Sequence, residues 1–361
     1  MNTKIIFGAP GRYYQGPGII QTLGQLAQAF GEKAAVITDP LVANMLATEL
    51  TEQLSQNGMS HKIYTLNGDL TLKTANQLAS KVSKFQPDMI IATGGGRALD
   101  AGKAVAGRLE LPVITVPTVA STDSPTSKVY VLYNDEHAIS AVEHLTESPA
   151  FVLVDTEILS RAPADLLRFG LGDALAKKFE ARQCRKAQGN NMFGGRPTLA
   201  ASALAETCFS VLWEHAENAL HVAGTGEPDA SFEAVVEANI LLAGLGFESG
   251  GLSLAHGLTR ALPYFPGAEK VPHGYQVAYC LMVQLYLEAD GKEDFRQLWN
   301  WLPKLGLPRT LEELSVQIPD DPTVLRTAAE SALAAPHLRN FERELSADEI
   351  VTAMLNVGIK T

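Results

Sequence analysis

Three residues in the second half of the chain are of types that bind divalent metals, and each lies in a segment of small or apolar residues. Asp173 lies in FGLGDALAKKFEA, His256 in SLAHGLTRAL and His273 in EKVPHGYQVAYC. Two imidazoles and one carboxylate suit a catalytic zinc ion, which takes three protein ligands and leaves one position open, and they also suit Fe(II). The separations are too long for a spacing motif, so each histidine taken singly is better explained as a structural or surface residue.

Three consecutive glycines, Gly94, Gly95 and Gly96, follow the apolar run MIIAT, where a buried strand should end and a helix begin near Arg97. Glycine lets a ligand approach the backbone, and the N-terminus of a helix attracts phosphate. The pattern is neither GxGxxG nor GxxxxGK followed by Ser or Thr. It indicates a phosphate-binding turn, with a tight turn required only for packing as the alternative.

Two aspartates lie near the same predicted turn. Asp39 ends the run AAVITD, and Asp100 lies one turn into the helix after the glycines. A carboxylate at the carboxyl edge of a parallel sheet can accept a hydrogen bond from a ribose hydroxyl and repels a 2′-phosphate, which favours NAD over NADP. The alternative for Asp39, which precedes Pro40, is a helix cap or a turn residue.

The segment VPTVASTDSPTSKVYVLY, residues 116–133, is predicted to be a polar loop that follows an apolar strand. Its hydroxyl groups suit hydrogen bonding to a hydroxylated ligand, although ordinary loop composition explains them equally well. The polar residues of this loop are Thr118, Ser121, Thr122, Asp123, Ser124, Thr126 and Ser127.

Two kinds of element must position these residues. Up to about residue 160, short β-branched runs alternate with amphipathic helical stretches, which predicts a doubly wound parallel sheet. Later segments such as 198–220 and 231–249 have helical spacing throughout. We therefore predict an NAD-binding α/β domain over 1–160 and an all-α metal-binding domain over 161–361. The predicted strands are KAAVITD (33–39), HKIYTL (61–66), DMIIATGGG (88–96), LPVITVPT (111–118) and AFVLVDT (150–156).

The composition of the 361 residues excludes several classes of partner. The net charge of −11 repels phosphate backbones and anionic membranes, so neither nucleic acid nor membrane is an expected partner. The three cysteines form no CxxC pair, so neither a disulfide framework nor a thiolate metal site is predicted. The N-terminal apolar stretch is too short for a signal peptide and no run is long enough to span a bilayer, so a cytoplasmic location is expected.

Five segments together resemble the glycerol dehydrogenase branch of the iron-containing alcohol dehydrogenase superfamily. ATGGGRALDAGKA resembles the family's GGGKxxDxxKA nucleotide loop, and VPTVASTDSPTS resembles its PTIASTDAPxS segment. GLGDALAKKFEA, GFESGGLSLAH and HGYQVAYC resemble its three metal-ligand segments. The resemblance runs over most of the chain, in the same order. It implies a two-domain fold with the active site in the interdomain cleft, a homo-oligomer, NAD, and one divalent metal, with zinc preferred and iron as the alternative.

The resemblance also implies roles for individual residues. Asp173, His256 and His273 would hold the metal, and Asp123 would contact a substrate hydroxyl, so Asp123 and His256 are the predicted catalytic residues. Nine residues are implied to line the dinucleotide: Asp39, Gly95, Gly96, Asp100, Thr118, Ser121, Ser127, Val129 and Tyr133. Gly94 and Arg97 of the glycine loop are added to this predicted cofactor site.

Three positions depart from the family pattern. Arg97 replaces the usual Lys, which affects how phosphate is positioned. Lys177 follows Asp173 by four residues, and we expect its side chain to point into solvent, with pairing to Asp173 and competition with the metal as the alternative. Arg260 is expected on the helical face of His256. We expect its side chain to reach the surface or to pair with an acid such as Glu248, with binding of a substrate carboxylate or phosphate as the alternative.

The sequence therefore predicts reversible, NAD-dependent and metal-assisted oxidation of glycerol or a related vicinal diol to the hydroxyketone, with a small polyol as the substrate. One alternative is a dehydrogenase or reductase of a 2-hydroxy or 2-oxo acid or of a polyol phosphate. A dehydroquinate-synthase-like lyase would need a denser set of Lys and Arg. A catalytically silent NAD-binding protein is the alternative outside enzymes.

Overall fold

The computed structural model describes residues 4–135 and 139–358, which form two compact units. The sheet unit consists of Ala9–Ala164 and Val222–Gly244. The helical unit consists of Met1–Gly8, Asp165–His221 and Leu245–Thr361. The sheet unit therefore includes a helical segment that the predicted division after residue 160 assigns to the second domain.

Six parallel strands form the sheet, in the order β1-β8-β5-β4-β2-β3. Strands β6 and β7 pair separately as an antiparallel hairpin. The strands are β1 (Tyr13–Gly16), β2 (Lys33–Thr38), β3 (Ser60–Thr65), β4 (Met89–Gly94), β5 (Val113–Pro117), β6 (Val129–Tyr133), β7 (Ile139–His144) and β8 (Phe151–Asp155).

Fourteen α-helices occur among the described residues. They are α1 (Leu23–Ala27), α2 (Pro40–Gln56), α3 (Leu72–Ser83), α4 (Gly96–Leu109), α5 (Thr156–Ser160), α6 (Ala164–Lys186), α7 (Leu199–Val222), α8 (Ala230–Glu237), α9 (Ala243–Gly250), α10 (Leu254–Leu258), α11 (His273–Leu287), α12 (Lys292–Trp301), α13 (Pro322–Leu333) and α14 (Ala347–Asn356).

Helices cover both faces of the sheet because successive side chains of a strand point to opposite faces. On β2, Ala34 and Val36 pack in the core that contains α2, whereas Ala35 and Ile37 pack in the core that contains α3 and α4. In the sheet, β3 lies beside one edge of β2, and the next strand along the chain, β4, lies beside the other edge of β2. The topological switch point of the sheet therefore lies between β2 and β4, where doubly wound folds bind ligands.

The predicted fold class is confirmed, since a parallel sheet with helices in the N-terminal half is followed by a helical C-terminal region. All five predicted strands are present as β2, β3, β4, β5 and β8. The prediction of a loop over the whole of 116–133 is wrong at its end, because Val129–Tyr133 forms β6 and pairs with β7. The short strand β1 was also missed, and it forms by pairing with β8 at the edge of the sheet.

The segment Val222–Gly244 is fixed in the sheet unit by buried polar contacts. Asn239 Nδ2 donates to the carbonyl of Ala120 (3.2 Å), and Thr126 Oγ1 donates to the carbonyl of Ile240 (2.7 Å). These contacts lie at a π-helical turn, Ala238–Leu242, between α8 and α9. Ala120 and Thr126 both belong to the 116–133 segment. The π-helical turn therefore holds the first half of that segment in place.

One helical segment, Ala230–Gly250, is long and apolar enough to cross a membrane by length and composition alone. Of its most apolar window, 67% is buried inside the protein. A buried core helix of a soluble protein passes the same test, so the segment is weak evidence for a membrane span.

Candidate functional site

Three helices of the helical unit bring the three predicted metal ligands together. Asp173 lies in α6, His256 in α10, and His273 is the first residue of α11. One ligand atom from each residue lies within 4.8 Å of the other two. Residues up to 100 positions apart thus form one cluster with the donor types of a catalytic zinc or Fe(II) site.

Two glycines allow the helices that carry Asp173 and His273 to approach closely. A Cβ atom on Gly172 would collide with the carbonyl oxygen of Gly274, and a Cβ atom on Gly274 would collide with the carbonyl oxygen of Phe169. Gly172 immediately precedes Asp173, and Gly274 immediately follows His273. This backbone contact between α6 and α11 is what places the carboxylate beside the imidazole.

Glu180, which sequence reasoning missed, fixes the orientation of His256. The Glu180 side chain is fully buried, and its Oε2 lies 2.5 Å from His256 Nδ1. Its Oε1 accepts from the backbone N–H groups of Ser253 and His256, each at 2.9 Å. The same carboxylate therefore starts α10 and directs the second ring nitrogen, Nε2, towards Asp173 Oδ1 at 3.1 Å. The available signal was spacing, because Asp173 and Glu180 are seven residues apart on one helix.

Charges within this cluster shift the pKa of three groups. Burial opposes ionisation of Asp173, but the Lys177 ammonium and then His256 hold the pKa of that carboxyl well below its usual range. Burial likewise opposes ionisation of Glu180, but His256 brings its pKa below the usual value. Burial alone would lower the pKa of the His256 imidazole, and the Glu180 carboxylate instead raises it to about 9. A raised pKa favours the protonated imidazole, so a divalent ion would have to displace a proton in order to bind His256.

The Lys177 side chain points into this cluster, so the expectation that it faces solvent is wrong. Its ammonium lies 2.7 Å from Asp173 Oδ1 and 3.2 Å from His256 Nε2, and the side chain is 2% exposed. The alternative, pairing with Asp173, is confirmed. The reason is helical geometry, because Asp173, Lys177 and Glu180 share the buried face of α6.

Arg260 does not share a helical face with His256, so the expectation that the two residues lie on one face of a helix is wrong. Helix α10 ends at Leu258, so Arg260 lies in the turn that follows it. The Arg260 side chain is exposed, whereas the Glu248 side chain is fully buried. The expectation that the Arg260 side chain reaches the surface is confirmed.

In the sheet unit, the three glycines lie where β4 passes into α4, as predicted. Gly94 has a φ of 133°, and a Cβ atom there would lie 2.8 Å from the Cβ of Ala98. Gly95 and Gly96 differ, because a Cβ atom would meet only Val119 at 3.5 Å or Thr122 at 3.6 Å. The protein itself therefore requires glycine at 94, whereas 95 and 96 leave bare backbone at a helix N-terminus, which fits a bound pyrophosphate.

Asp39 and Arg97 both have protein partners at this edge of the sheet. Asp39 caps α2 by accepting from the backbone N–H of Val42 (2.9 Å), so the helix-cap interpretation is confirmed. Its other oxygen, Oδ2, lies beside Gly94 at the switch point. The exposed Arg97 guanidinium pairs with Asp69 at 3.0 Å.

Asp100 anchors the polar segment through both carboxylate oxygens. Oδ1 accepts from Ser124 Oγ (2.8 Å), and Oδ2 accepts from the backbone N–H of Val131 (3.1 Å). Lys103, which sequence reasoning also missed, is fully buried and donates to the carbonyls of Ser124 and Val129. These two charged residues of α4 hold the 116–133 segment against the glycine turn.

The remaining predicted residues lie along that same segment. The backbone N–H of Thr118 donates to the carbonyl of Gly94 (3.1 Å), and that of Tyr133 donates to Leu70 (2.9 Å). Ser127 and Asp123 are buried, whereas Ser121 is half-buried. The structure thus brings Thr118 to the glycine turn. Asp123 belongs to the sheet unit, whereas the three predicted metal ligands belong to the helical unit.

Comparison with known proteins shows extended similarity. Residues 10–156 match the iron-containing alcohol dehydrogenase family. A glycerol dehydrogenase from Escherichia coli is 36% identical, with 97% of this chain and 95% of that protein covered. A glycolaldehyde reductase from Halobacterium salinarum is 35% identical, with 87% and 86% covered. The crystal structure of glycerol dehydrogenase from Schizosaccharomyces pombe has a TM-score of 0.90 and 31% identity, with 98% and 90% covered.

Proposed function

Since the chain belongs to the iron-containing alcohol dehydrogenase family, we propose that it oxidises glycerol or a related vicinal diol to the hydroxyketone, reversibly and with NAD. It is an oxidoreductase that acts on CH–OH groups. The observation that carries the proposal is the cluster of Asp173, His256 and His273, whose ligand atoms lie within 4.8 Å of one another. Relatives of similar identity are named for glycerol and for glycolaldehyde, so the substrate is the part of the proposal that needs measurement.

Asp173, His256 and His273 would hold one divalent ion, with zinc proposed and iron as the alternative. Such an ion supplies Lewis-acid catalysis, because it lowers the pKa of an alcohol. Two imidazoles and one carboxylate fit this role, and Glu180 keeps His256 Nε2 directed at the cluster. Asp123 is proposed to accept a hydrogen bond from a second hydroxyl of the substrate, which would favour a diol over a simple alcohol.

The sheet unit is proposed to bind NAD at the switch point between β2 and β4. The backbone at Gly95 and Gly96 would bind the pyrophosphate, and the free oxygen of Asp39 would accept from the adenosine ribose. A carboxylate at this position repels the 2′-phosphate of NADP. The rest of the dinucleotide is proposed to be lined by Thr118, Ser121, Ser127, Val129 and Tyr133. Asp100 and Arg97 are proposed to act by holding this edge of the sheet in place, Asp100 through Ser124 and Val131 and Arg97 through Asp69. We also propose that the protein acts in the cytoplasm as a homo-oligomer.

The test is a panel of NAD reduction assays with glycerol, 1,2-propanediol, 2-hydroxy acids and polyol phosphates, with zinc, iron and manganese supplied separately. We expect turnover with the two diols, NAD and one of these ions. Activity confined to 2-hydroxy acids would contradict the proposed substrate class. Activity confined to NADP would contradict the role of Asp39.

Substituting Gly96 by alanine separates cofactor binding from packing. The new methyl group would make only ordinary contact with Thr122, and alanine is favoured over glycine in a helix by up to about 1 kcal/mol. We expect unchanged or higher stability together with NAD affinity weakened about tenfold or more. Thermal unfolding and NAD titration measure the two effects.

The matched control is Gly107→Ala, in the same helix and away from the glycine turn. Its methyl group would lie 3.4 Å from Leu145 and 3.5 Å from Tyr130. This variant should keep the NAD affinity of the wild type. Equal NAD affinity in Gly96→Ala and Gly107→Ala would remove Gly96 from the proposed cofactor site.

A further inference from the structure

Lys177 is a buried cation within the cluster proposed to hold a divalent ion. Its ammonium lies 2.7 Å from Asp173 Oδ1 and 3.2 Å from His256 Nε2, on two of the three residues of the cluster. The side chain is 2% exposed, and its Nζ lies 5.2 Å from the centre of the Phe247 ring. Lys177 therefore reaches the cluster from the same helix that carries Asp173.

An ammonium and a metal ion make opposite use of these ligand atoms. The ammonium donates hydrogen bonds and has no lone pair, so it cannot itself ligate a metal. The ammonium occupies a lone pair of Asp173 that a metal could use, and its charge lies beside His256 Nε2, the nitrogen directed at the cluster. A positive charge at this distance in a buried site also repels a divalent cation, because the interior screens charges weakly.

We propose that Lys177 is a built-in competing cation that weakens the binding of a divalent metal by Asp173, His256 and His273. The inference rests on the metal site of the proposed function. Lys177 stabilises the metal-free cluster by balancing the buried Asp173 carboxylate. A metal must compete with the Lys177 ammonium for the Asp173 carboxylate, so it should bind more weakly than at the same ligands without the lysine.

The variant that tests the inference is Lys177→Met, which matches the lysine side chain as far as Cε, removes the ammonium and suits the neighbouring Phe247 ring. We expect the dissociation constant for zinc, measured by competition with a chelator, to fall at least about tenfold. The metal-free variant should unfold at a lower temperature than metal-free wild type, because a buried carboxylate has lost a partner. The increase in unfolding temperature on adding zinc should be larger in the variant.

Two further variants distinguish competition from a general loss of structure. Lys177→Arg keeps a positive charge and should not tighten zinc binding. Lys178→Met makes the same substitution at the next residue, which pairs with Glu206 outside the cluster at 3.1 Å, and should leave the zinc affinity unchanged. If Lys177→Met does not fold, Lys177→Gln removes the charge while keeping a hydrogen-bond donor for Asp173.

Unchanged or weaker zinc binding in a folded, neutral variant at 177 would overturn the inference, as would binding of no divalent ion by either wild type or variant. The proposed function fails separately. If the wild type binds zinc without oxidising diols, the substrate proposal is wrong, and the comparison of dissociation constants still decides the role of Lys177.

Discussion

Replacing His256 by alanine should remove the bound metal and lower turnover by about 10³-fold or more, since a metal that acts as a Lewis acid lowers the barrier by several kcal/mol. His256 supplies one of the three clustered ligand atoms, and two protein ligands hold a catalytic ion far less tightly than three. Elemental analysis of the purified variant gives its metal content. NAD reduction with glycerol gives its turnover.

The same substitution leaves Glu180 fully buried without its imidazole partner. Breaking a buried charge pair in this way costs about 3–5 kcal/mol, so the variant should also unfold at a lower temperature. His215→Ala is the control, because His215 lies on α7 of the same unit with a side chain that is 30% exposed. A His256→Ala protein with full metal content and full turnover would refute the proposed metal centre.

Glu180→Gln should weaken metal affinity about 10- to 100-fold, which is the usual effect of removing the hydrogen-bond partner of a metal-binding histidine. Glutamine can still accept from the backbone of Ser253 and His256, so α10 should still form. It cannot, however, both keep those bonds and present an oxygen to His256 Nδ1, which lies 2.5 Å from Glu180 Oε2. The ring would lose the contact that directs Nε2 towards Asp173.

The effect of Glu180→Gln is measured as the zinc affinity, by competition with a chelator, and as kcat/KM for glycerol with saturating NAD. Both should fall together, whereas the helix content by circular dichroism should not change. Glu206→Gln is the matched control, because Glu206 is a half-exposed glutamate whose described ion pair is with Lys178. A zinc affinity equal to that of the wild type in Glu180→Gln would show that the carboxylate is not needed to orient His256 for metal binding.

Strands with an uninterrupted apolar run were predictable, whereas strands that depend on a distant partner were not. In β4 the run from Met89 to Gly94 is buried at every position, so composition alone indicates a central strand. Strand β1 has four half-buried residues and forms because Tyr13–Gly16 pairs with β8, about 140 residues later. The sequence predicts a loop where β6 forms, because the pairing of β6 with β7 cannot be recognised from local composition.

The glycine turn and Asp39 show how far a local pattern extends into function. The turn after β4 was predictable because three glycines follow an apolar run. That Asp39 lies beside Gly94 depends on the pairing of β2 with β4, which a doubly wound topology implies. The buried anchors Asp100 and Lys103, by contrast, show their role only through contacts with Ser124, Val129 and Val131.

By itself the sequence determined the fold class, the position of the glycine turn and, through its resemblance to a family, which three residues to propose as metal ligands. These properties depend on local periodicity, on glycine at a chain reversal and on residue types in a fixed order. Only the tertiary structure decided that Lys177 enters the cluster, that Glu180 orients His256 and that Arg260 lies on the surface. Each of these depends on where a helix ends or on which face it buries, and packing against distant segments sets both.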